Sequence, residues 1–324
     1  MEKMKLKSIY SEFRTDLDYI ERELERAVRS SSPLIEEASL DLLKSGGKRI
    51  RPVFTLLSSK FGECDPAVTA RAAVPLELIH MASLVHDDVI DDADLRRGTP
   101  TAKSQWGNRV AMYVGDFLFG RALATISELD DPEIHRVLSK TMIEICVGEI
   151  IQIEDKFAEQ QNLRHYLRRI KRKTALLIAS SCELGGLVSG ADPKIVRHLE
   201  RFGYYIGMAF QITDDLLDFT ATEKELGKPA GSDLLDGNIT LPVILALRDP
   251  ELKPLVRDAL AAGEDRAPVD RLIRRMRGSE AIKESRRISN LYLDKALDEA
   301  GKLPESPDRE SLIRIAKFIG KRKY

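Results

Sequence analysis

Asp87, Asp88 and Asp91 fall within five consecutive residues, and Asp214, Asp215 and Asp218 repeat the pattern. Each set reads Asp-Asp-x-x-Asp and follows an apolar run compatible with a helix. A helix turns about 100° per residue, so the first and last aspartates of each set share a face. Carboxylates one turn apart repel by about 1 kcal/mol at 4 Å in water, and by more in a cleft. A cation between them removes that cost. Mg²⁺ held by few carboxylates completes its shell with water and phosphate oxygens, so two such clusters point to diphosphate chemistry. A single cluster is ordinarily a solvated acidic face. Two copies, the first followed by Arg96-Arg97-Gly98, favour the metal reading.

A second diphosphate bound without metal needs cations, and Gly46-Gly47-Lys48-Arg49-Ile50-Arg51-Pro52 offers them. The glycines let backbone approach an anion. Lys48 and Arg51 stand one turn apart at a helix start, which itself favours anions, and Arg suits bidentate phosphate contacts. A basic helix start is also common surface material. Arg96 and Arg97 could reach either diphosphate. His80 precedes Asp87 by nearly two turns and shares its face, where a diphosphate contact competes with an ordinary core histidine. Lys173-Thr174 interrupts the apolar face of its helix, and Gln211 projects beside Asp214. Lys228, in the loop Gly227-Lys228-Pro229-Ala230-Gly231-Ser232-Asp233, could reach a metal-bound diphosphate or be solvated. Beneath Asp87, Ser83 and Ala82 are small and leave room for a growing apolar chain, unless they serve only close helix packing. Ile79, roughly 12 Å down at 1.5 Å per residue, is the first bulky residue.

Helices must position these groups. Apolar residues recur at helical spacing over Leu6–Arg29, and Pro33 starts a helix to about Lys44 that Gly46-Gly47 ends. Pro52 fits the first turn of a helix to about Phe61, and Pro66 opens the helix bearing the first cluster. Further helices are expected over Asn108–Leu129, Pro132–Phe157, Leu163–Val188 and Lys194–Thr222, the last bearing the second cluster. Shorter ones are expected over Leu241–Leu247, Leu252–Ala261, Val269–Met276, Ser279–Ala300 and Asp308–Ile319. Alternating strand patterns are nearly absent and no Ser/Gly/Pro-rich linker appears. The expectation is therefore all-α: one domain over residues 1–324, a helical bundle with a central cavity between the two Asp-bearing helices.

The chain has 324 residues, 43% hydrophobic and 32% charged, enough for a large core. A net charge of −1 gives no global attraction to nucleic acid or acidic membranes. Cys64, Cys146 and Cys182 are far apart, so neither a zinc site nor a disulfide framework is expected, and each reads as a small buried apolar residue. The charged N-terminal stretch does not read as a signal peptide, and no 18-residue apolar run is apparent. A reduced, cytoplasmic setting is the expectation.

The ordered motifs GGKRIRP, LIHMASLVHDDVIDDADLRRGTPT, GDFLFGRAL, KRKTALLIAS and GMAFQITDDLLDF…GKPAGSDLLDGNITLP resemble the trans-isoprenyl diphosphate synthases over roughly residues 40 to 245. The resemblance implies a Mg²⁺-dependent prenyl transfer, with about three ions held by the six aspartates against the allylic diphosphate. It implies that Lys48, Arg51, His80 and Arg97 hold isopentenyl diphosphate, and that Arg96, Lys173 and Lys228 help hold the allylic diphosphate. Thr174 and Gln211 resemble groups whose oxygens flank the developing cation. LELIHMASLVHDDVIDDADLRRG in particular resembles the branch of that family that makes a heptaprenyl (C35) product, which implies menaquinone side-chain synthesis beside a small non-catalytic component. A homodimer making another chain length (C15–C30 or longer) is the alternative. At most peripheral membrane contact is expected. A terpene cyclase would need no second diphosphate pocket, and a non-catalytic subunit should have lost aspartates or basic residues; this chain keeps them.

Overall fold

The computed structural model describes residues 10–63, 65–96, 98–222, 229–263 and 265–320, and helices dominate them. Helix α1 spans Arg14–Ala27, α2 Pro33–Lys44, α3 Ile50–Ser59 and α4 Pro66–Ile90. A hairpin of β1 (Leu95–Arg96) paired antiparallel with β2 (Thr99–Pro100) leads into α5 (Ala102–Ile126) and α6 (Pro132–Glu154). Helix α7 (Leu163–Ile170) continues through a π-helical turn, Lys171–Ala175, into α8 (Leu176–Val188), and α9 (Pro193–Thr220) follows. The C-terminal third holds α10 (Ser232–Leu235), α11 (Leu241–Ala246), α12 (Leu252–Leu260), α13 (Arg266–Met276), α14 (Glu280–Gly301) and α15 (Pro307–Gly320).

Local chemistry sets these boundaries. Pro33 and Pro66 sit where a helix has no use for an N–H. The Asp65 side chain accepts from the Ala67 N–H, Thr101 from Ser104 and Asn162 from His165, capping α4, α5 and α7. Helix α5 begins earlier than periodicity indicates. Its first turn is capped by Thr101, and the chain then kinks at Gly107 (φ 82°) before the regular run from Asn108. The expected single helix over Leu163–Val188 is interrupted by the π turn, which periodicity does not reveal. Residues 6–9 of the first expected helix lie outside the described residues.

Helix α4 is long and apolar enough to span a membrane by length and composition, but 72% of that stretch is buried within the protein. It tolerates Pro75 inside it and buries residues all round, as a core helix does. The expectation that no such apolar run exists is therefore corrected. Cys182 is buried as expected, whereas Cys146 is exposed, and Cys64 lies outside the described residues.

Packing divides the chain into two compact units. The first comprises the described residues within 1–142, 180–200 and 303–312, with α4 packed on α1, α3 and α5. The second comprises the described residues within 143–179, 201–302 and 313–324. Its core joins Met208, Ile212, Leu216 and Phe219 of α9 to Leu241 and Val243 of α11 and Val269 and Leu272 of α13.

Candidate active site

In the first unit, Asp87 and Asp88 lie in the last turn of α4 and Asp91 is its C-cap, its N–H bonded to the Asp87 carbonyl at 2.8 Å. The three do not point alike. Asp87 is half-buried, Asp91 is exposed, and Asp88 is buried. Asp88 Oδ1 accepts from Arg96 Nε at 2.8 Å and pairs with Arg96 Nη2 at 2.7 Å. Burial pushes the Asp88 carboxyl upward in pKa, Arg96 opposes this, and Asp87 and Asp91 add to the rise. The β1–β2 hairpin thus brings one predicted arginine onto the cluster. Arg97 lies outside the described residues.

Lys48 is exposed and Arg51 half-buried in the first turn of α3. Between them Arg49 takes the left-handed conformation (φ 42°) as the α3 N-cap. Its guanidinium binds Glu21 at 2.8 and 2.9 Å, Glu77 at 3.3 Å and the Leu43 carbonyl at 2.7 Å. Arg49 therefore anchors the loop that carries Lys48 and Arg51. His80 is half-buried, with its backbone carbonyl accepting from Ser83 Oγ at 2.9 Å. Ile79 and Ala82 are fully buried, and Ser83 is half-buried.

The second unit gathers the predicted residues into one network. Thr174 Oγ1 donates to Gln211 Oε1 at 2.6 Å, and Gln211 Nε2 donates to Asp215 Oδ1 at 2.8 Å. Tyr166 Oη donates to Asp215 Oδ2 at 2.6 Å from a wholly buried ring. Asp215 is pushed up to about 7, first by burial, then by Asp233 and Asp214, against the bonds from Tyr166 and Gln211. Burial and the neighbouring Asp215 raise the Tyr166 pKa well above the ordinary tyrosine value, so Tyr166 remains the donor. Asp218 is buried and receives Ser232 Oγ at 3.4 Å, while Asp214 is half-buried. Lys173 binds Glu149 at 2.9 Å. Lys228 lies outside the described residues.

Two glycines allow this geometry. A Cβ on Gly207 would lie 2.7 Å from Ala175 Cα, and one on Gly148 would lie 2.8 Å from Arg172 Cβ. Helices α9 and α6 therefore both approach the π turn closely, α9 bringing Gln211 to Thr174 and α6 bringing Glu149 to Lys173. π turns often mark functional positions. Tyr166 is the residue that sequence reasoning missed: an aromatic side chain on an apolar helix face reads as core, and its partner is 49 positions away.

The donors that could hold a metal are carboxylate oxygens alone, which suits a hard cation such as Mg²⁺. Among the described residues, no three His, Cys, Asp or Glu side chains converge on one point.

Residues 32–276 match the Polyprenyl synthetase family. Heptaprenyl diphosphate synthase component 2 of Geobacillus stearothermophilus is 56% identical over 321 residues, covering 99% of this chain and 100% of that one. The crystal structure of heptaprenyl diphosphate synthase from Staphylococcus aureus superposes with a TM-score of 0.90 at 43% identity, covering 96% of this chain and 98% of the other. Polyprenyl synthase from Caulobacter crescentus CB15, complexed with calcium and isoprenyl diphosphate, gives 0.92 at 30% identity and covers 98% of both chains. The folds agree as all-α isoprenoid synthases. With both aspartate motifs lying inside the matched span, the chain belongs to the polyprenyl synthetase family and is a prenyltransferase.

Proposed function

We propose that this chain elongates an allylic diphosphate, starting from farnesyl diphosphate, with successive isopentenyl diphosphate units to all-trans heptaprenyl (C35) diphosphate. The observation that carries the reading is its identity, along nearly the full length, to a heptaprenyl diphosphate synthase component 2. Polyprenyl synthetases depend on Mg²⁺. Here Asp87, Asp88, Asp91, Asp214, Asp215 and Asp218 would hold the ions. When bound, Mg²⁺ supplies Lewis-acid stabilisation of charge on the departing diphosphate.

The remaining roles are those that the resemblance to the family implies. Arg96, Lys173 and Lys228 grip the allylic diphosphate, and Lys48, Arg51, His80 and Arg97 hold isopentenyl diphosphate by charge and hydrogen bonds. As the allylic C–O bond breaks, the Thr174 and Gln211 oxygens face the cation, the isopentenyl double bond attacks it, and the resulting cation loses a proton to the released diphosphate to give the new alkene. Tyr166 and Gln211 fix Asp215 in place. Burial around these groups excludes water that would quench the cation. Ala82 and Ser83 leave room for the growing chain, and Ile79 limits it.

The partner is a small non-catalytic component. Its support is the word component in the relative's name, together with an exposed apolar face on α6. Ile143, Val147 and Ile150 lie on successive turns and are exposed by 63, 39 and 57%. Incorporation of labelled isopentenyl diphosphate into acid-labile product tests the reaction. Asp87→Ala and Asp214→Ala should each lower it by roughly 100-fold or more, with the helical circular dichroism kept. Near-normal turnover in either would sink the metal assignment.

A further inference from the structure

Six basic residues stand between Arg164 and Lys173: Arg164, Arg168, Arg169, Lys171, Arg172 and Lys173. Three are matched by carboxylates: Arg169 by Asp155 at 3.3 Å, Arg172 by Glu144 at 2.7 Å and Lys173 by Glu149 at 2.9 Å. The other three, Arg164, Arg168 and Lys171, are exposed and have no ion-pair partner among the described residues. They recur at i, i+4 and i+7, so they share one face. With Arg248, also exposed, they rim an open groove of about 470 Å³ whose floor is Leu163, Leu167 and Tyr204. Among the described residues, no carboxylate lines it. In a chain of net charge −1, this is a local positive field that the overall balance conceals.

The arrangement limits what can occupy the groove. The cations extend roughly 10 Å along the helix, further than one diphosphate group bridges. A single small anion would leave some of them unmatched, whereas an extended anionic surface meets them all. The apolar floor beside them suits an amphiphile, with headgroup phosphates on the guanidinium groups and the first acyl carbons against Leu163 and Leu167. Both leucines also pack on the core of the unit, so the helix is not free to bury its apolar face in a bilayer. Attachment through this face is shallow, electrostatic and salt-sensitive.

We propose that this groove docks the chain on an anionic phospholipid surface. Docking there would keep the enzyme beside the phase into which a long prenyl product partitions, an advantage that rests on the chain-elongation reading. The binding itself does not rest on it and is measured without substrates.

The test is co-sedimentation of the purified full-length chain with phosphatidylcholine vesicles containing 30% phosphatidylglycerol. Binding is expected in low salt, with loss of at least tenfold in affinity at 0.5 M NaCl, and none to phosphatidylcholine alone. Arg168→Glu with Arg248→Glu should weaken binding at least tenfold. Lys194→Glu with Arg197→Glu, the same charge change on exposed residues of α9, should leave it within about twofold. Circular dichroism checks that both variants fold; if the reversal pair unfolds, Arg168→Gln with Arg248→Gln replaces it, with a loss of at least threefold expected. Absence of vesicle binding would overturn the proposal, as would equal losses in both pairs, or salt-sensitive binding to duplex DNA without binding to vesicles.

Discussion

Replacing Tyr166 by Phe removes one oxygen and leaves the buried Asp215 with Gln211 as its remaining side-chain donor among the described residues. The cost to stability is about 1–3 kcal/mol, because a buried acceptor loses its partner. If Tyr166 positions Asp215 for Mg²⁺, the variant will also need severalfold more Mg²⁺ for half-maximal turnover. A role in packing alone would lower the melting temperature and leave the Mg²⁺ dependence unchanged. The aspartates could be picked out as candidates from the sequence because their pattern is a spacing along one helix. Tyr166 could not, since its role depends on a residue from another helix. The same holds for Arg49, which sits among predicted phosphate-binding cations. Glu21 and Glu77, remote in sequence, commit it to holding the loop.

Among the helices, the π turn at Lys171–Ala175 does most to order the second aspartate cluster. Both α6 and α9 approach it closely, at Gly148 and Gly207, and it carries both Lys173 and Thr174. Gly207→Ala should destabilise the protein by about 1–3 kcal/mol, because the new methyl would meet backbone that cannot turn aside. It should also lower turnover by drawing Gln211 away from Thr174. Gly301→Ala, on a helix where an added Cβ meets nothing within 4 Å, should be neutral or slightly stabilising. Equal thermal melts for the two variants would contradict the close approach at Gly207. Helix positions were readable from periodicity and from Pro33 and Pro66, because those signals are local. The π turn and the burial of α4 depend on neighbouring helices.

For the molecule as a whole, the fold class and chemistry could be read from the sequence, whereas the grouping of helices into two compact units could not. The second is a matter of which apolar faces meet, and many pairings satisfy the same periodicity. Global stability should carry the mark of one carboxylate outside the aspartate clusters. Glu183 is pushed up to about 7, first by burial and then by Glu200, from an ordinary value of 4.5. The folded state then holds this proton more tightly than the unfolded chain, so its contribution to stability rises as pH falls from 7 to 4.5. Above pH 7 the charged form carries the full penalty. Glu183→Gln should therefore stabilise at pH 8 by roughly 1–2 kcal/mol, and give no gain at pH 4.5, in denaturant melts. Chain elongation to C35 is measured by giving the purified chain Mg²⁺, labelled isopentenyl diphosphate and farnesyl diphosphate, with and without the small component, and sizing the dephosphorylated products. Little product from the chain alone, and a C35 alcohol once the small component is added, is the expected result. No product longer than the primer under either condition would contradict the account.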